Sequence, residues 1–235
     1  MFGIKTKLIK YAREVETRFT KGKLSNDVAI RQLMEHFIAD EYGHRAKVSK
    51  SDLGYGWIHY GLVRTIKPSR ILCVGSRYGF IPAILAQACK DNGRGHVDFV
   101  DPGYGPEDTN HWTGVGHWRN QEGNKSFYRF RLESWITLYL MESLEFAKKN
   151  KKRYEYIYID GDHSYEGVSL DYKLFYKRLK KYGFMAFHDI DVKGKLSEGT
   201  YGTWKLWEKI KNNNSFEIPF KGSGLGFIQK VKDGD

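Results

Sequence analysis

From Lys67 onward, short apolar runs alternate along the chain with segments of helical periodicity. The apolar runs are RILCV at 70–74, HVDFV at 96–100, ITLYL at 136–140, YEYIYI at 154–159 and GFMAFH at 183–188. Continuous apolar runs are typical of strands that are buried on both faces, and their alternation with helices is typical of a parallel sheet covered on both sides. The pattern therefore predicts an α/β fold with a mostly parallel central sheet and helices on both faces.

One of the intervening helices is predicted to begin after Ser164. Its apolar positions recur at intervals of four, three and four residues, at Val168, Tyr172, Phe175 and Leu179. Such spacing places these side chains on one helix face. Gly183 is the predicted stop, because glycine is common just beyond a helix end.

The first fifty residues carry two helical patterns. The first has lysines and arginines around an apolar stripe at Ile4, Leu8, Tyr11, Val15 and Phe19. The second follows a cap near Ser25 or Asn26 and has an apolar face at Ile30, Leu33, Met34 and Phe37. We expect a helical extension over 1–50, docked on the core or on a second subunit of a homo-oligomer, ahead of a domain over 51–235. The alternative for the basic stripe is peripheral contact with an anionic membrane.

The composition indicates which partners and which cellular compartment the protein has. The 235 residues carry a formal net charge of +11, which favours anionic partners such as phosphorylated glycans, nucleotides or nucleic acid. The sequence has no apolar run of about 18 residues, so no transmembrane segment is expected. Cys73 and Cys89 match neither a disulfide framework nor a zinc site, which favours a reducing compartment and predicts a cytoplasmic protein.

Acidic and histidine side chains follow two of the predicted strands. Asp160 closes YEYIYI, with Asp162 and His163 directly behind it, and His188 and Asp189 end GFMAFH. Ligands of open α/β sheets bind beyond the carboxyl ends of the strands, so we expect these groups to face a crevice. They suit a general base, or a hard divalent cation that lowers the pKa of a bound hydroxyl. The alternatives are that His188 is a structural neutral imidazole and that Asp162, with Ser164, caps the next helix.

Two other strand ends add to this crevice. Gly75 and Gly79 suit a tight strand-to-helix turn that a ligand approaches closely, although Arg77 stands where a dinucleotide-binding loop has a middle glycine. Asp101 follows Gly75 by 26 residues, near the offset of about 20 at which an acid binds ribose hydroxyls. The alternative for Asp101 is a turn residue before Pro102.

Four segments together resemble class I S-adenosylmethionine-dependent methyltransferases: ILCVGSRYGFIPAILA, VDFVDPGYG, YIYIDGDHSYEGVSLDYKLFYKRLKKYGFMAFHDI and GTWKLWEKI. The IDGDHxYEGV pattern and the HD pair are similar in particular to small-molecule and sugar O-methyltransferases of that class. The resemblance covers about Gly54 to Ile228 and implies a Rossmann-like class I methyltransferase fold with S-adenosylmethionine as cofactor. It departs from the general pattern at Cys73, where an acidic residue often stands, and at Arg77.

The resemblance also implies roles for individual residues. The cofactor would lie along Gly75, Ser76, Gly79, Asp101, Met141, Glu142, Ser143 and Asp160, with Asp101 at the ribose and residues 141–143 at the adenine. The alternative for residues 141–143 is a helix start. Mg²⁺ or another divalent cation would be held by Asp160, His188 and Asp189. Asp162 or His163 would be the catalytic base.

The glycine-rich segment 101–123 is predicted to be a binding loop for the acceptor, because long aperiodic loops are often functional. The alternative is that it only packs over the edge of the sheet. Its aromatic and polar candidates are His111, Trp112, His117, Trp118 and Arg119. The leading hypothesis is O-methylation of a hydroxyl on a small molecule or glycan, which the net charge suggests is anionic. The alternatives are an RNA methyltransferase, for which the sequence shows no RNA-binding motif, and a non-catalytic nucleic-acid-binding protein on the same fold.

Overall fold

The computed structural model describes residues 27–39, 44–105, 107–108, 116–119, 125–196 and 199–232. Within these ranges the helices are α1 (Asp27–His36), α2 (Tyr55–Ile66), α3 (Phe80–Asn92), α4 (Ser143–Lys149), α5 (Tyr165–Phe175) and α6 (Thr203–Ile210). The strands are β1 (Ile71–Val74), β2 (Val97–Asp101), β3 (Ile136–Leu140), β4 (Tyr154–Ile159), β5 (Leu179–His188), β6 (Gly194–Leu196), β7 (Gly199–Tyr201), β8 (Ser215–Ile218) and β9 (Leu225–Gln229).

The central sheet has seven strands in the order β3-β2-β1-β4-β5-β9-β8. Strands β1 to β5 are parallel to one another, and β9 is antiparallel to both of its neighbours. Val74 at the end of β1 is in register with Val100 on one side and Ile159 on the other. Strand order reverses between β1 and β4, so the crevice typical of such sheets opens at these aligned ends. The predicted mostly parallel sheet is confirmed.

Two apolar cores lie on opposite faces of the sheet. One core packs helices α1, α2 and α3 on the sheet and includes Met34, Val63 and Ile84. The other packs α4, α5 and α6 and includes Phe146 and Trp207. The sheet is thus covered on both faces, which explains why the buried central strands β1 and β4 read as continuous apolar runs.

The prediction for the helix after Ser164 is wrong at its end. Helix α5 ends at Phe175, a short 3-10 turn follows, and Leu179 begins strand β5. Leu179 is fully buried and pairs with Tyr154 of β4, so sheet pairing outweighs its helical spacing. Gly183 lies inside β5. A Cβ at this position would come within 2.7 Å of the Glu155 carbonyl oxygen, so the absence of a side chain permits a close approach between the two strands.

The second predicted N-terminal helix is confirmed as α1, whose Leu33 and Met34 are buried in the same core as β1. The apolar stripe between Ile4 and Phe19 lies outside the described residues. Strands β8 and β9 and the β6–β7 hairpin were not among the predicted elements. In the described part of the chain, no helix is long and apolar enough to cross a bilayer.

Candidate active site

A cavity of about 490 Å³ lies beyond the carboxyl ends of the parallel strands, a volume within the usual range for ligand pockets. Most of the predicted cofactor residues line it, namely Gly75, Ser76, Asp101, Glu142, Ser143 and Asp160. Gly79 and Met141 are not among its lining residues. Met141 packs instead against the apolar core of α4 and α5.

Gly75 holds the turn after β1 close to the end of β4. Its φ is +73°, and an added Cβ would overlap the backbone of Asp160 and Gly161. Its N–H donates to the Val100 carbonyl at 2.9 Å, while the N–H of Asp160 donates to the Val74 carbonyl at 2.8 Å. A side chain at position 75 would therefore separate the two strand ends that form the floor of the cavity.

Asp101 connects the loops that follow β1 and β2. Its Oδ2 accepts from the Ser76 N–H at 3.3 Å and its Oδ1 from the Gly103 N–H at 2.8 Å. Burial raises the pKa of Asp101 to about 6, against the opposing effect of these two bonds. The turn bond to Gly103 occupies one lone pair, and a carboxylate retains others for a ligand in the cavity. The turn role is thus confirmed, and the ribose role stays a prediction.

Trp118, predicted to contact the acceptor, is only 3% exposed and supports the turn after β1. Its Nε1 donates to the Ser76 carbonyl at 2.9 Å, and its ring stacks on Phe127 with centroids 5.5 Å apart. The ring also explains Gly79, whose φ is +92° and where an added Cβ would lie 2.7 Å from the indole. Gly79 and Trp118 therefore shape the cavity by packing against each other.

The other acceptor candidates in this segment differ in position. His117 lines the cavity, whereas Arg119 forms ion pairs with Asp108 at 2.8 Å and Glu107 at 3.0 Å. His111 and Trp112 lie outside the described residues.

The ends of β4 and β5 bring two carboxylates and two imidazoles together. His163 Nε2 lies 3.0 Å from Asp160 Oδ1, and His163 Nδ1 lies 3.7 Å from Asp189 Oδ2. His188 Nδ1 lies 3.3 Å from Asp160 Oδ1 and 3.1 Å from Asp189 Oδ1. Asp160 also accepts from the Tyr158 hydroxyl at 3.0 Å. These five residues form a cluster at the end of the cavity, the acid–imidazole cluster.

Charge pairing inside the cluster opposes the effect of burial. Burial by itself raises the pKa of Asp160 and Asp189, but the charges and hydrogen bonds of His188 and His163 outweigh it and hold both pKa values below their usual range. Burial likewise lowers the pKa of His163 and His188, and the two carboxylates outweigh it, so both imidazole pKa values are raised. The carboxylates are therefore ionised at neutral pH, as metal ligands need to be, whereas His163 has to release its proton before it can bind a cation.

Three members of the cluster are placed to share a cation. One donor atom each from Asp160, His163 and Asp189 lies within 4.8 Å of the others. His188, predicted as a ligand, lies deeper at 4% exposed and directs its Nδ1 at both carboxylates. Its position suits orienting the carboxylates, a role that side chains behind a metal site often have.

Asp162 is exposed at the rim of the cavity and takes part in the start of α5. Its Oδ1 accepts from the Ser164 N–H at 2.8 Å, and Ser164 Oγ caps the helix by accepting from the Gly167 N–H at 3.0 Å. The capping interpretation of this pair is therefore confirmed. A catalytic role for Asp162 or His163 stays a prediction.

The sequence reasoning missed two buried polar residues of the cavity. His44 is 7% exposed, its ring centroid lies 4.8 Å from that of His188, and its Nδ1 has no hydrogen-bond partner among the described residues. Burial lowers the pKa of His44 to about 4.

Asp171 is 4% exposed and hydrogen-bonded to Ser143, and burial raises its pKa to about 7. Asp171 interrupts the buried side of α5 only three residues after Val168, which is a usable signal. An isolated histidine such as His44 gives none.

Comparison with known proteins agrees with this geometry. The family model described as a methyltransferase domain matches residues 72–190. An uncharacterized protein from Sinorhizobium fredii is 25% identical over 179 residues, which cover 73% of this chain and 19% of that protein. This chain thus spans about a fifth of the length of that relative.

Solved structures share the fold at low sequence identity. SAH-bound PaMTH1 from Podospora anserina has a TM-score of 0.59 at 15% identity, covering 95% of this chain and 96% of the other. An O-methyltransferase from Bacillus cereus in complex with SAH has a TM-score of 0.58 at 12% identity, covering 92% and 97%. TomG from Streptomyces achromogenes, in complex with SAM, has a TM-score of 0.55 at 11% identity, covering 92% and 96%.

The family match spans the strand ends that carry Gly75, Asp101, Asp160 and Asp189. The sheet order and the cavity at its reversal point are those of the Rossmann-like class I methyltransferase fold. The chain belongs to the methyltransferase-domain family.

Proposed function

We propose that the enzyme transfers the methyl group of S-adenosylmethionine to a hydroxyl of a small molecule or glycan. The observation that carries the proposal is the acid–imidazole cluster, which faces the same cavity as Asp101. A hydroxyl is a poor nucleophile at neutral pH and needs a base or a cation to lose its proton. The cluster offers both at one end of the cavity.

In this proposal the cofactor extends across the strand ends. Asp101 accepts from the ribose hydroxyls, residues Glu142 and Ser143 border the adenine, and Gly75 and Ser76 border the methionine end. Glu142 is held in place by the Tyr104 hydroxyl, which supports a defined wall on the adenine side. Support also comes from the three solved structures described above, which contain SAM or SAH.

The cluster also fits a divalent cation such as Mg²⁺. Asp160, His163 and Asp189 would hold it, since their donor atoms converge and two of the three are carboxylates, which hard cations prefer. His188 and Tyr158 would orient the carboxylates through the contacts given above. When bound, the cation would lower the pKa of the acceptor hydroxyl.

Asp162 is then the residue of the IDGDH segment that remains to accept the proton. Its Oδ1 is engaged by the Ser164 N–H, but a carboxylate oxygen has further lone pairs and Asp162 lines the cavity. The acceptor oxygen forms its bond to the methyl carbon while the bond from sulfur to that carbon breaks. The hydroxyl proton passes to Asp162, which leaves S-adenosylhomocysteine and the methyl ether.

Radiolabelled S-adenosylmethionine tests the function. The purified chain is incubated with the methyl-labelled cofactor and panels of sugars, phosphorylated glycans and phenols, with total RNA as a separate arm. We expect label in hydroxyl-bearing acceptors, and calorimetry should show S-adenosylhomocysteine binding. Label in RNA alone would replace the proposal with RNA methylation, and absence of cofactor binding would refute it.

We also propose a cytoplasmic location and a homo-oligomer formed through the N-terminal helices. The location is supported by Cys73 and Cys89, which are both buried and unpaired, as is usual in reducing compartments. The oligomer is supported only by the apolar stripe in the sequence before α1. Cell fractionation and light scattering test the two statements separately.

A further inference from the structure

A second groove lies beside the active-site cavity, between the start of α5 and helix α6. We call it the α5–α6 groove. Its lining includes Tyr165, Tyr201, Trp204, Lys205 and Lys209. It combines aromatic rings with lysine side chains, whereas the catalytic end of the neighbouring cavity is dominated by carboxylates and imidazoles.

The groove and the active-site cavity share one wall, Tyr201, which lines both. The Tyr201 ring stacks on His163 of the acid–imidazole cluster, with centroids 5.1 Å apart and planes at 25°. The next residue, Gly202, donates its N–H to the His163 carbonyl at 2.8 Å and packs against the backbone of Tyr165 so closely that a Cβ would overlap it. A molecule in the groove therefore lies directly beside the catalytic end of the cavity.

Lysine ammonium groups surround the two outer aromatic rings. Lys193 Nζ and Lys205 Nζ lie 5.5 and 5.6 Å from the centroid of Trp204. Lys209 Nζ lies 4.5 Å from the centroid of Tyr165 and donates to its hydroxyl at 2.8 Å. Lys205 and Lys209 are four residues apart on α6, so both project from the same helix face.

These lysines carry charge that the described residues leave without an ion-pair partner. In the part of the chain that the structure describes, no carboxylate lies within ion-pair distance of the lysines at positions 193, 205 and 209. The groove also contains Glu166 and Glu208, but Glu208 is paired with Lys211 at 2.8 Å. Lysine is a common ligand of phosphate and carboxylate, and aromatic rings that line a groove suit the apolar face of a sugar ring.

We infer that the α5–α6 groove is a subsite for an anionic acceptor. It would hold a glycan unit that bears a phosphate or a carboxylate, with the sugar ring against Trp204 and the anionic group at Lys205 and Lys209. The acceptor chain then passes Tyr201 to present a hydroxyl to the acid–imidazole cluster. The inference rests on the proposed O-methyltransferase function and specifies its acceptor class.

The indole N–H of Trp204 gives a site-specific readout by NMR. The ¹⁵N-labelled full chain is titrated with glucose 1-phosphate, glucuronate, inorganic phosphate and uncharged glucose, and the Trp204 signal is assigned with Trp204→Phe. We expect the signal to move with glucose 1-phosphate or glucuronate and not with glucose. A response to glucose 1-phosphate and phosphate alone identifies a phosphate subsite, and a response to glucuronate alone identifies a carboxylate subsite. Movement with glucose to the same extent, or no movement with any probe, overturns the inference.

Variants that remove lysine charges test whether the groove binds the anionic sugar independently of folding and of cofactor binding. The double variant Lys205→Ala/Lys209→Ala should weaken binding of the anionic sugar by roughly tenfold or more, a change of about 1.4 kcal/mol. Lys50→Ala, which removes an exposed lysine that lines neither cavity, is the matched control and should bind like the wild type. S-adenosylhomocysteine affinity is measured on the same samples. If cofactor binding persists while every sugar anion fails, the acceptor subsite is refuted and the methyltransferase function is not.

Discussion

Nε2 of His163 lies 3.0 Å from Oδ1 of Asp160, although the two side chains belong to a strand end and the loop behind it. The contact turns the IDGDH segment back on itself, so that its histidine faces the cluster while Asp162 stays at the rim. Asp160 and Asp162, the two acids of the segment, therefore lie in different surroundings. One belongs to the buried ionic cluster, and the other is exposed beside the start of α5.

Asp162→Asn tests whether the rim aspartate is a base or only part of a helix start. Asparagine can still accept from the Ser164 N–H but cannot take up a proton, so turnover should fall by about 10²- to 10⁴-fold with cofactor affinity nearly unchanged. Methyl transfer and calorimetry on the same sample measure both effects.

Ser164→Ala is the matched control for that substitution. It removes the N-cap bond to Gly167 and should cost about 1 kcal/mol of stability without loss of the base. A folded Asp162→Asn enzyme with wild-type turnover would limit Asp162 to the helix start and would make His163 the base in place of a cation ligand.

Asp101→Ala should weaken cofactor binding by about 1 to 3 kcal/mol, because two ribose hydroxyls would lose a charged acceptor. Wild-type affinity should also fall as the pH drops below about 6, since the pKa of Asp101 is raised to about 6 and its protonated form is a poorer acceptor. Calorimetry between pH 5 and 8 measures both effects. In Asp101→Asn the part of this pH dependence that comes from residue 101 should disappear, and an identical profile would place the ribose elsewhere.

Asp189→Ala should raise the Mg²⁺ concentration needed for half-maximal activity by about tenfold or more, because it removes one of two carboxylate ligands. Added Mg²⁺ should restore part of this loss, whereas it should not rescue Asp162→Asn. Asp91→Ala, on the exposed side of α3, is the control for loss of a carboxylate in general. The same Mg²⁺ requirement in all three variants would refute Asp189 as a ligand, and wild-type activity that does not depend on Mg²⁺ would leave a metal-free, base-assisted transfer.

Asp171→Asn should stabilise the protein at pH 8 and not at pH 4. Burial raises the folded-state pKa of Asp171 to about 7 from an ordinary value of 3.8, so its neutral form stabilises the fold at low pH. That stability is lost progressively as the pH rises from about 4 to about 7, because the carboxyl of the unfolded chain ionises while the buried one keeps its proton. The neutral amide avoids this cost, and we expect a gain of about 1 to 3 kcal/mol at pH 8, measured by urea denaturation. A variant that is less stable at both pH values would show that the contact with Ser143 requires the carboxyl.

Local sequence pattern was sufficient for the central strands. ITLYL and YEYIYI coincide with β3 and β4. For β4, which is almost entirely buried, the reason is that a strand covered on both faces needs a continuous apolar run. The pattern also located Asp160 and Asp189 at strand ends. It failed at Leu179, where helical spacing continued across a residue that pairs with β4.

Contacts between distant segments could not be predicted in this way. His44 lies beside His188, and Trp118 lies beneath the turn at Ser76, because the folded chain brings their loops over the strand ends. Strand β9 enters the sheet antiparallel between β5 and β8, an arrangement that depends on pairing across the chain. Periodicity encodes which face of an element is apolar, so it predicts the elements of this protein. The composition of the cavity depends on strand order and loop packing, which no local pattern contains.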